Sequence, residues 1–367
     1  MRKHWRVMRV WLCAALVAAA ACTSERGSAD TQTSSDQPRA DTTVDLLGAG
    51  ATFPYPLYAL WFNQFAADSG VRINYLSVGS GSGIDRLLAD SVDFAATDVP
   101  LRDDEIARAV GGRVVHVPMV LGAVALTYQL DGLTRPLRLS GSVIADIYAG
   151  RITRWNDEQL RALNADQALP DDAILVVHRA DASGTSFILS DFLSSVSFAW
   201  ASAHGRGRVM TWPVGIGRQG NEGVASQVKQ TTGAIGYVEG SYARQNRLPV
   251  ARVQNASGAF IAPSAFEVAA AAVNVLDAIE EPADLRVSLV NAAGKQSYPI
   301  ASFSWLVIAP DALSVVQRAQ LMRFVAWALT DGEQWAREVG YEPLPVVLAE
   351  RVMANTRAQL SAPGRLR

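Results

Sequence analysis

Four hydroxyls, one guanidinium and one carboxylate are the groups of this 367-residue chain best suited to chemistry. Thr52, Ser80, Ser183 and Thr185 sit at Gly/Ser-rich turns, each followed by an amphipathic run. A helix N-terminus leaves backbone N–H groups unpaired and carries partial positive charge, so turns of this kind suit an anion. Arg179 adds a planar fork matched to two oxygens of a tetrahedral oxyanion. Serine and threonine at such turns also serve as plain helix caps, which is their commonest role. Spacing alone leaves both readings open. Asp98 separates them more sharply, because a carboxylate inside an anion site repels its ligand unless the ligand carries a proton. Phosphate has an O–H to donate and sulfate at neutral pH has none. The plain alternative for Asp98 is a cap on the helix near Ile106, or a place on the surface.

These groups need elements to hold them. Val44–Leu47 reads as a strand, followed by a turn over Gly48–Phe53 and a helix with Leu57, Leu60, Trp61 and Phe65 inward. Residues 72–78 form a second strand that runs into Gly79-Ser80-Gly81-Ser82-Gly83 and a helix carrying Ile84, Leu87 and Leu88. Residues 173–177 form a third, ending in His178-Arg179-Ala180-Asp181-Ala182-Ser183-Gly184-Thr185 before a helix with Ile188, Phe192 and Val196. Strand, turn and helix in repetition predict an α/β protein with mostly parallel sheets, whose ligand sits beyond the carboxyl ends of the strands. Near the chain end, residues 300–309 read as a strand crossing back and residues 321–335 as one amphipathic helix. The length suggests about two domains.

The first 21 residues read as a signal peptide. Arg2, Lys3, Arg6 and Arg9 precede a dozen apolar residues, too few to span a bilayer. Ala19-Ala20-Ala21-Cys22 resembles a bacterial lipobox, which predicts cleavage before Cys22 and acylation of its thiol. Cys13 lies in the leader, so Cys22 is left as a lone cysteine with no internal disulfide partner. Residues 22–43 then form a lipidated cysteine and a polar tether. Without the leader, 29 basic residues face 35 acidic ones, a net charge near −6. That argues against nucleic acid and against a polybasic membrane contact, so an anion must be held by local donors.

Several stretches together carry a resemblance: Gly48-Ala49-Gly50-Ala51-Thr52-Phe53-Pro54, Val92-Asp93-Phe94 with Asp98, and Arg179 through Phe187. Trp212-Pro213-Val214-Gly215, Gly220-Asn221-Glu222-Gly223 and residues 233–239 match as well. More loosely, so do Gly150, Trp155 and residues 331–341. In order, over nearly all of residues 45–350, the chain resembles the PstS family, the phosphate-binding proteins of the high-affinity ABC phosphate transporter.

The resemblance implies a two-lobed periplasmic-binding-protein fold of type II. Residues 44–124 plus 302–367 would form lobe 1 and residues 125–301 lobe 2, with chain crossings near 124 and 301 and a ligand cleft between the lobes. It implies a monomer that captures inorganic phosphate for membrane permease and ATPase subunits, working as a lipid-anchored, exported protein of the cell envelope. Thr52 and Phe53 would give backbone N–H groups, with the Thr52 hydroxyl added. Ser80 would donate its hydroxyl and Asp98 would accept the phosphate proton. Arg179, held by Asp181, would bind oxygens, and Ser183, Gly184 and Thr185 would complete the cage. The chain departs from the family pattern at Gly81, where a hydroxyl is usual, at Ala182, where glycine is common, and at His178, where a second arginine can stand.

Other readings are weaker. Gly215-Ile216-Gly217-Arg218-Gln219-Gly220 fits the dinucleotide pattern G-x-G-x-x-G, with Glu239 nineteen residues later. Pro213 interrupts the preceding strand, however, and the following helix is short. A serine hydrolase fails because the G-x-S-x-G frame puts Gly81 where the nucleophile must stand. Only His116, His178 and His204 remain as bases, and no His/Cys/carboxylate cluster has metal-ligand spacing. A binding protein with no cofactor, no metal and no catalytic residue is therefore expected. A binder of another oxyanion, a phosphate sensor and a phosphate-ester hydrolase are the alternatives.

Overall fold

The computed structural model describes residues 45–276 and 286–362. The leader, Cys22 and the tether lie outside the described residues. Among the described residues eleven strands occur in chain order: β1 (Leu46–Gly50), β2 (Ile73–Ser77), β3 (Phe94–Thr97), β4 (Val115–Tyr128), β5 (Arg138–Leu139), β6 (Leu175–Arg179), β7 (Ile216–Arg218), β8 (Ala234–Glu239), β9 (Arg252–Gln254), β10 (Phe260–Ile261) and β11 (Ala301–Ile308). Eight of them form one sheet in the order β2-β1-β3-β11-β4-β8-β6-β7, and β10-β9-β5 form a small second sheet. Helices cover the sheet, giving the α/β architecture that the strand–turn–helix pattern predicts, in the two-lobed form that the resemblance implies.

The outer strands are parallel: β1 with β2 and β3, and β6 with β7 and β8. The centre is not. β11 runs antiparallel to both β3 and β4, and β4 antiparallel to β8. All fourteen residues of β4 are buried. A strand covered on both faces reads as a continuous apolar run whatever its pairing direction. From Val115 to Ala123, β4 pairs with β11; from Val124 to Tyr128 it pairs with β8. The change of partner falls where the backbone N–H of Val124 donates to the carbonyl of Ile300.

Two local differences from the sequence pattern have physical causes. Gly48–Gly50 belong to β1 rather than to the turn. There Gly50, at φ 143°, lets the backbone approach so closely that a Cβ would stand 2.1 Å from the Ala96 carbonyl oxygen. The turn itself is Ala51–Pro54. The helix expected over 321–335 is two helices, Val315–Ala328 and Glu333–Val339. At the break the carbonyl of Gly332 accepts from the Trp61 indole N–H at 2.8 Å. Trp61, Phe62 and Phe65 of the helix Tyr55–Ser69 are buried with Phe324 in one aromatic cluster. Burying each such side chain contributes about 2 kcal/mol, which anchors the helix behind the first turn. The expected inward residue Leu60 is only half-buried.

Candidate functional site

The four turns that matter all begin at carboxyl ends of parallel strands. Thr52 and Phe53 follow β1, Ser80 follows β2, Asp98 follows β3, and Ser183, Gly184 and Thr185 follow β6, whose last residue is Arg179. Thr52, Phe53, Ser80, Asp98, Arg179, Ser183 and Thr185 are each no more than 3% exposed, and Gly184 is buried. The fold therefore brings all eight into the interior from sequence positions up to 133 residues apart. The turn after β6 meets those after β2 and β3 directly. A Cβ at Gly184 would stand 2.6 Å from Asp98 Oδ2 and 2.6 Å from Ser80 Oγ. No side chain larger than hydrogen fits there.

Asp98 is neither a helix cap nor a surface residue. Its Oδ1 accepts from Ser304 Oγ at 2.8 Å. Its Oδ2 has only a long contact, 3.4 Å, to Ser80 Oγ and faces Gly184. One oxygen is thus satisfied by the protein and the other can accept an O–H from a ligand. Burial pushes this carboxyl up to about 7, against the opposing pull of the Ser304 hydrogen bond and of the Arg179 charge. A carboxylate raised in this way is a stronger proton acceptor than an exposed one.

Arg179 is oriented by Asp181. Its Nε donates to Asp181 Oδ1 at 2.7 Å and its Nη2 to Asp181 Oδ2. The remaining Nη1 reaches Thr185 Oγ1 at 3.3 Å. One edge of the fork is occupied and the other is turned toward the threonine. Burial would raise Asp181, but the Arg179 guanidinium holds it below the usual carboxylate range. Ser183 caps the helix Gly184–Val196, its Oγ accepting from the Ser186 N–H at 3.1 Å. The capping role is compatible with a contact to a ligand, because the cap uses the hydroxyl's lone pair and leaves its proton free.

The departures at Gly81 and Ala182 meet. The Gly81 N–H donates to the Ala182 carbonyl at 2.9 Å, and a Cβ at Gly81 would lie 2.3 Å from the Ala182 Cβ. His178 does not point at the cage. Its ring stacks on Trp212 with centroids 5.6 Å apart, and Nδ1 contacts the Arg179 carbonyl.

Several supporting residues escape a reading of the sequence alone. Ser304 comes from β11, more than two hundred residues after Asp98. Tyr242 OH donates to the Thr52 carbonyl at 2.7 Å and Tyr341 OH to that of Phe53 at 2.6 Å, so both carbonyls already have partners within the protein. Asn221 lies in a recognisable stretch, but its partners, Thr52 and Thr185, are far away in sequence.

Beside Asp98 a cleft of about 460 Å³ is lined by Glu105, Phe187, Asp191, Arg208 and Ser302 among others. Arg208 forms an ion pair with Glu105, both largely buried. Arg286 donates to Asp103 Oδ1 at 2.6 Å and to the Leu101 carbonyl at 3.1 Å. The short helix Asp103–Ile106 therefore holds two arginines from the other half of the chain. The glycines of the dinucleotide-like pattern form no phosphate turn: Gly217 is inside β7 and paired with His178. Among the described residues no His/Cys/Asp/Glu group could hold a metal.

Two α/β lobes on a common sheet, with polar residues converging from strand ends on a buried cage, define the class of two-lobed solute-binding proteins. A model of the PBP superfamily domain matches residues 28–332. The phosphate-binding protein PstS of Xylella fastidiosa (strain 9a5c) is 38% identical over 332 residues, 90% of this chain and 89% of that protein. PstS of Pasteurella multocida (strain Pm70) is 37% identical, over 86% and 91% of the two chains. The chain belongs to this PstS family. The crystal structure of a phosphate-binding protein from Stenotrophomonas maltophilia, 22% identical, shares its fold with a TM-score of 0.64 over 88% of this chain and 99% of that one.

Proposed function

We propose that this protein captures inorganic phosphate between its two lobes outside the cytoplasm and delivers it to an ABC transporter. The observation that carries this reading is Asp98: a buried carboxylate with one oxygen satisfied and the other facing a cage of donors. Thr52, Phe53, Ser80, Ser183, Gly184 and Thr185 supply hydroxyl and backbone donors, Arg179 supplies charge, and Asp181 holds Arg179 in place. The reaction is binding and release with no bond broken. Lobe 1 comprises residues 44–124 and 302–367 and lobe 2 residues 125–301, in keeping with the change of partner along β4. Phosphate contacts both lobes and so favours the closed arrangement. No described helix is long and apolar enough to cross a membrane. Attachment through an acylated Cys22 and the tether that follows would hold the monomeric binding unit at the cell envelope. A crystal grown with phosphate tests the proposal: density for a tetrahedral anion between Asp98 and Arg179 supports it, and density elsewhere, or none, refutes it.

The Glu105–Arg208 pair, one residue from each lobe, lies in the lining of the cleft without belonging to the cage. Glu105→Gln is expected to speed phosphate release about tenfold, the scale of one charged hydrogen bond, and to reduce the salt dependence of that rate. Stopped-flow release with a phosphate scavenger reads both. A wild-type rate would show that the pair does not act as a latch. At the Gly81–Ala182 contact, Gly81→Ser is expected to weaken phosphate binding about tenfold by holding the lobes apart, since overpacking costs roughly 1–3 kcal/mol. Adding Ala182→Gly should restore most of the affinity. A double variant as weak as the single one would mean the two positions are not coupled.

A further inference from the structure

Asn221 is fully buried at the start of the helix Gly220–Lys229. Its Oδ1 accepts from the backbone N–H of Glu239 at 2.9 Å. That N–H can only donate, so the amide orientation is determined and Nδ2 must face the opposite way. There Nδ2 donates to Thr52 Oγ1 at 2.7 Å and lies 3.4 Å from Thr185 Oγ1. Thr52 Oγ1 also accepts from the Asn221 backbone N–H at 3.4 Å, and Thr185 Oγ1 from Arg179 Nη1 at 3.3 Å. Each threonine oxygen therefore receives two N–H donors. A hydroxyl has two lone pairs and one proton. With the lone pairs engaged, each proton must point elsewhere, and among the described hydrogen bonds neither hydroxyl donates to a protein acceptor.

We infer that Asn221 is a positioning residue that determines specificity by locking the Thr52 and Thr185 hydroxyls as donors toward the ligand. This deepens the phosphate reading and rests on it. The cage acquires a polarity. Its Thr52–Thr185 side offers hydrogens to bare oxygens, while Asp98 Oδ2 on the other side supplies the acceptor that takes the O–H. A protonated oxyanion fits in one orientation. The Thr185 rotor, in the same lobe as Asn221, is set before the ligand arrives, and the Thr52 rotor, in the other lobe, is set as the lobes close.

The test is a double-mutant cycle on the full protein, read by titration calorimetry with inorganic phosphate. Asn221→Ala frees both hydroxyls to rotate, and affinity is expected to fall about tenfold. Thr52→Val should cost at least as much in the wild type but clearly less in the Asn221→Ala background, because the hydroxyl there is no longer aimed. Losses that simply multiply, or Asn221→Ala binding within twofold of wild type, would overturn the inference. If Asn221→Ala does not fold, the isosteric Asn221→Asp serves in its place. Its carboxylate accepts the threonine protons and turns them from the ligand, so its loss should shrink when Thr52→Val and Thr185→Val are both present. An undiminished loss there would be charge repulsion alone and would also overturn the inference. A wild-type protein that binds no phosphate would instead refute the function proposed above.

Discussion

Arg179→Ala is expected to weaken phosphate binding by at least about 2 kcal/mol, roughly thirtyfold. The loss has two sources. The free edge of the guanidinium no longer meets the ligand's oxygens. Asp181, mostly buried and previously matched along two hydrogen bonds, is left without its partner beside the cage. Removing one member of a buried pair leaves an uncompensated charge, which is why the effect should exceed that of one hydrogen bond. Arg179→Lys should fall between the two, since an ammonium cannot serve Asp181 along a two-pronged edge and reach the ligand as well. Calorimetry decides the matter, and wild-type affinity in the alanine variant would remove Arg179 from the site.

Asp98→Asn addresses selectivity. If its oxygen keeps the Ser304 bond, the new amide presents N–H groups toward Ser80 and Gly184, where the carboxylate presented a lone pair. A donor there suits sulfate and no longer suits the phosphate O–H. Sites that bond a ligand's O–H can reject its analogue by about 10⁴-fold or more. The ratio of phosphate to sulfate affinity is therefore expected to collapse by about three orders of magnitude or more. The same substitution bears on pH. Burial pushes Asp98 up to about 7, so between roughly pH 4 and 7 the folded protein holds a proton that the unfolded chain has released. Asp98 thus contributes stability that is complete below about pH 4 and lost as pH rises through 7. Glu239, also pushed by burial to about 7, adds a slope of the same sign. The melting temperature of the unliganded protein should fall across this window, and less steeply in Asp98→Asn. An unchanged slope would mean that Asp98 does not titrate there.

Much of this site is legible because its parts are local. Thr52, Ser80, Ser183 and Thr185 each follow a recognisable strand, and Arg179 and Asp181 are two residues apart. The turn positions follow from the general rule for parallel strands, while the joining of these residues into one cage comes from the family resemblance. What stays hidden depends on long-range pairing. Ser304 reaches Asp98 only because β11 lies antiparallel next to β3, and no local pattern encodes that direction. Tyr242 and Tyr341 look like core aromatics, since their hydroxyl partners are backbone carbonyls near Thr52 and Phe53. The Gly81 and Ala182 departures look unrelated until the fold presses them together. Gly48–Gly50 reads as a turn by composition, yet it pairs within β1, where a Cβ at Gly48 would meet the Phe94 ring and one at Gly50 the Ala96 backbone.

The most direct test is a pair of calorimetric titrations of the wild-type protein at neutral pH, one with phosphate and one with sulfate. A buried cage that donates hydrogens on one side and accepts a single proton at Asp98 on the other should bind phosphate at least a thousandfold more tightly. Sulfate binding within tenfold of phosphate would contradict it.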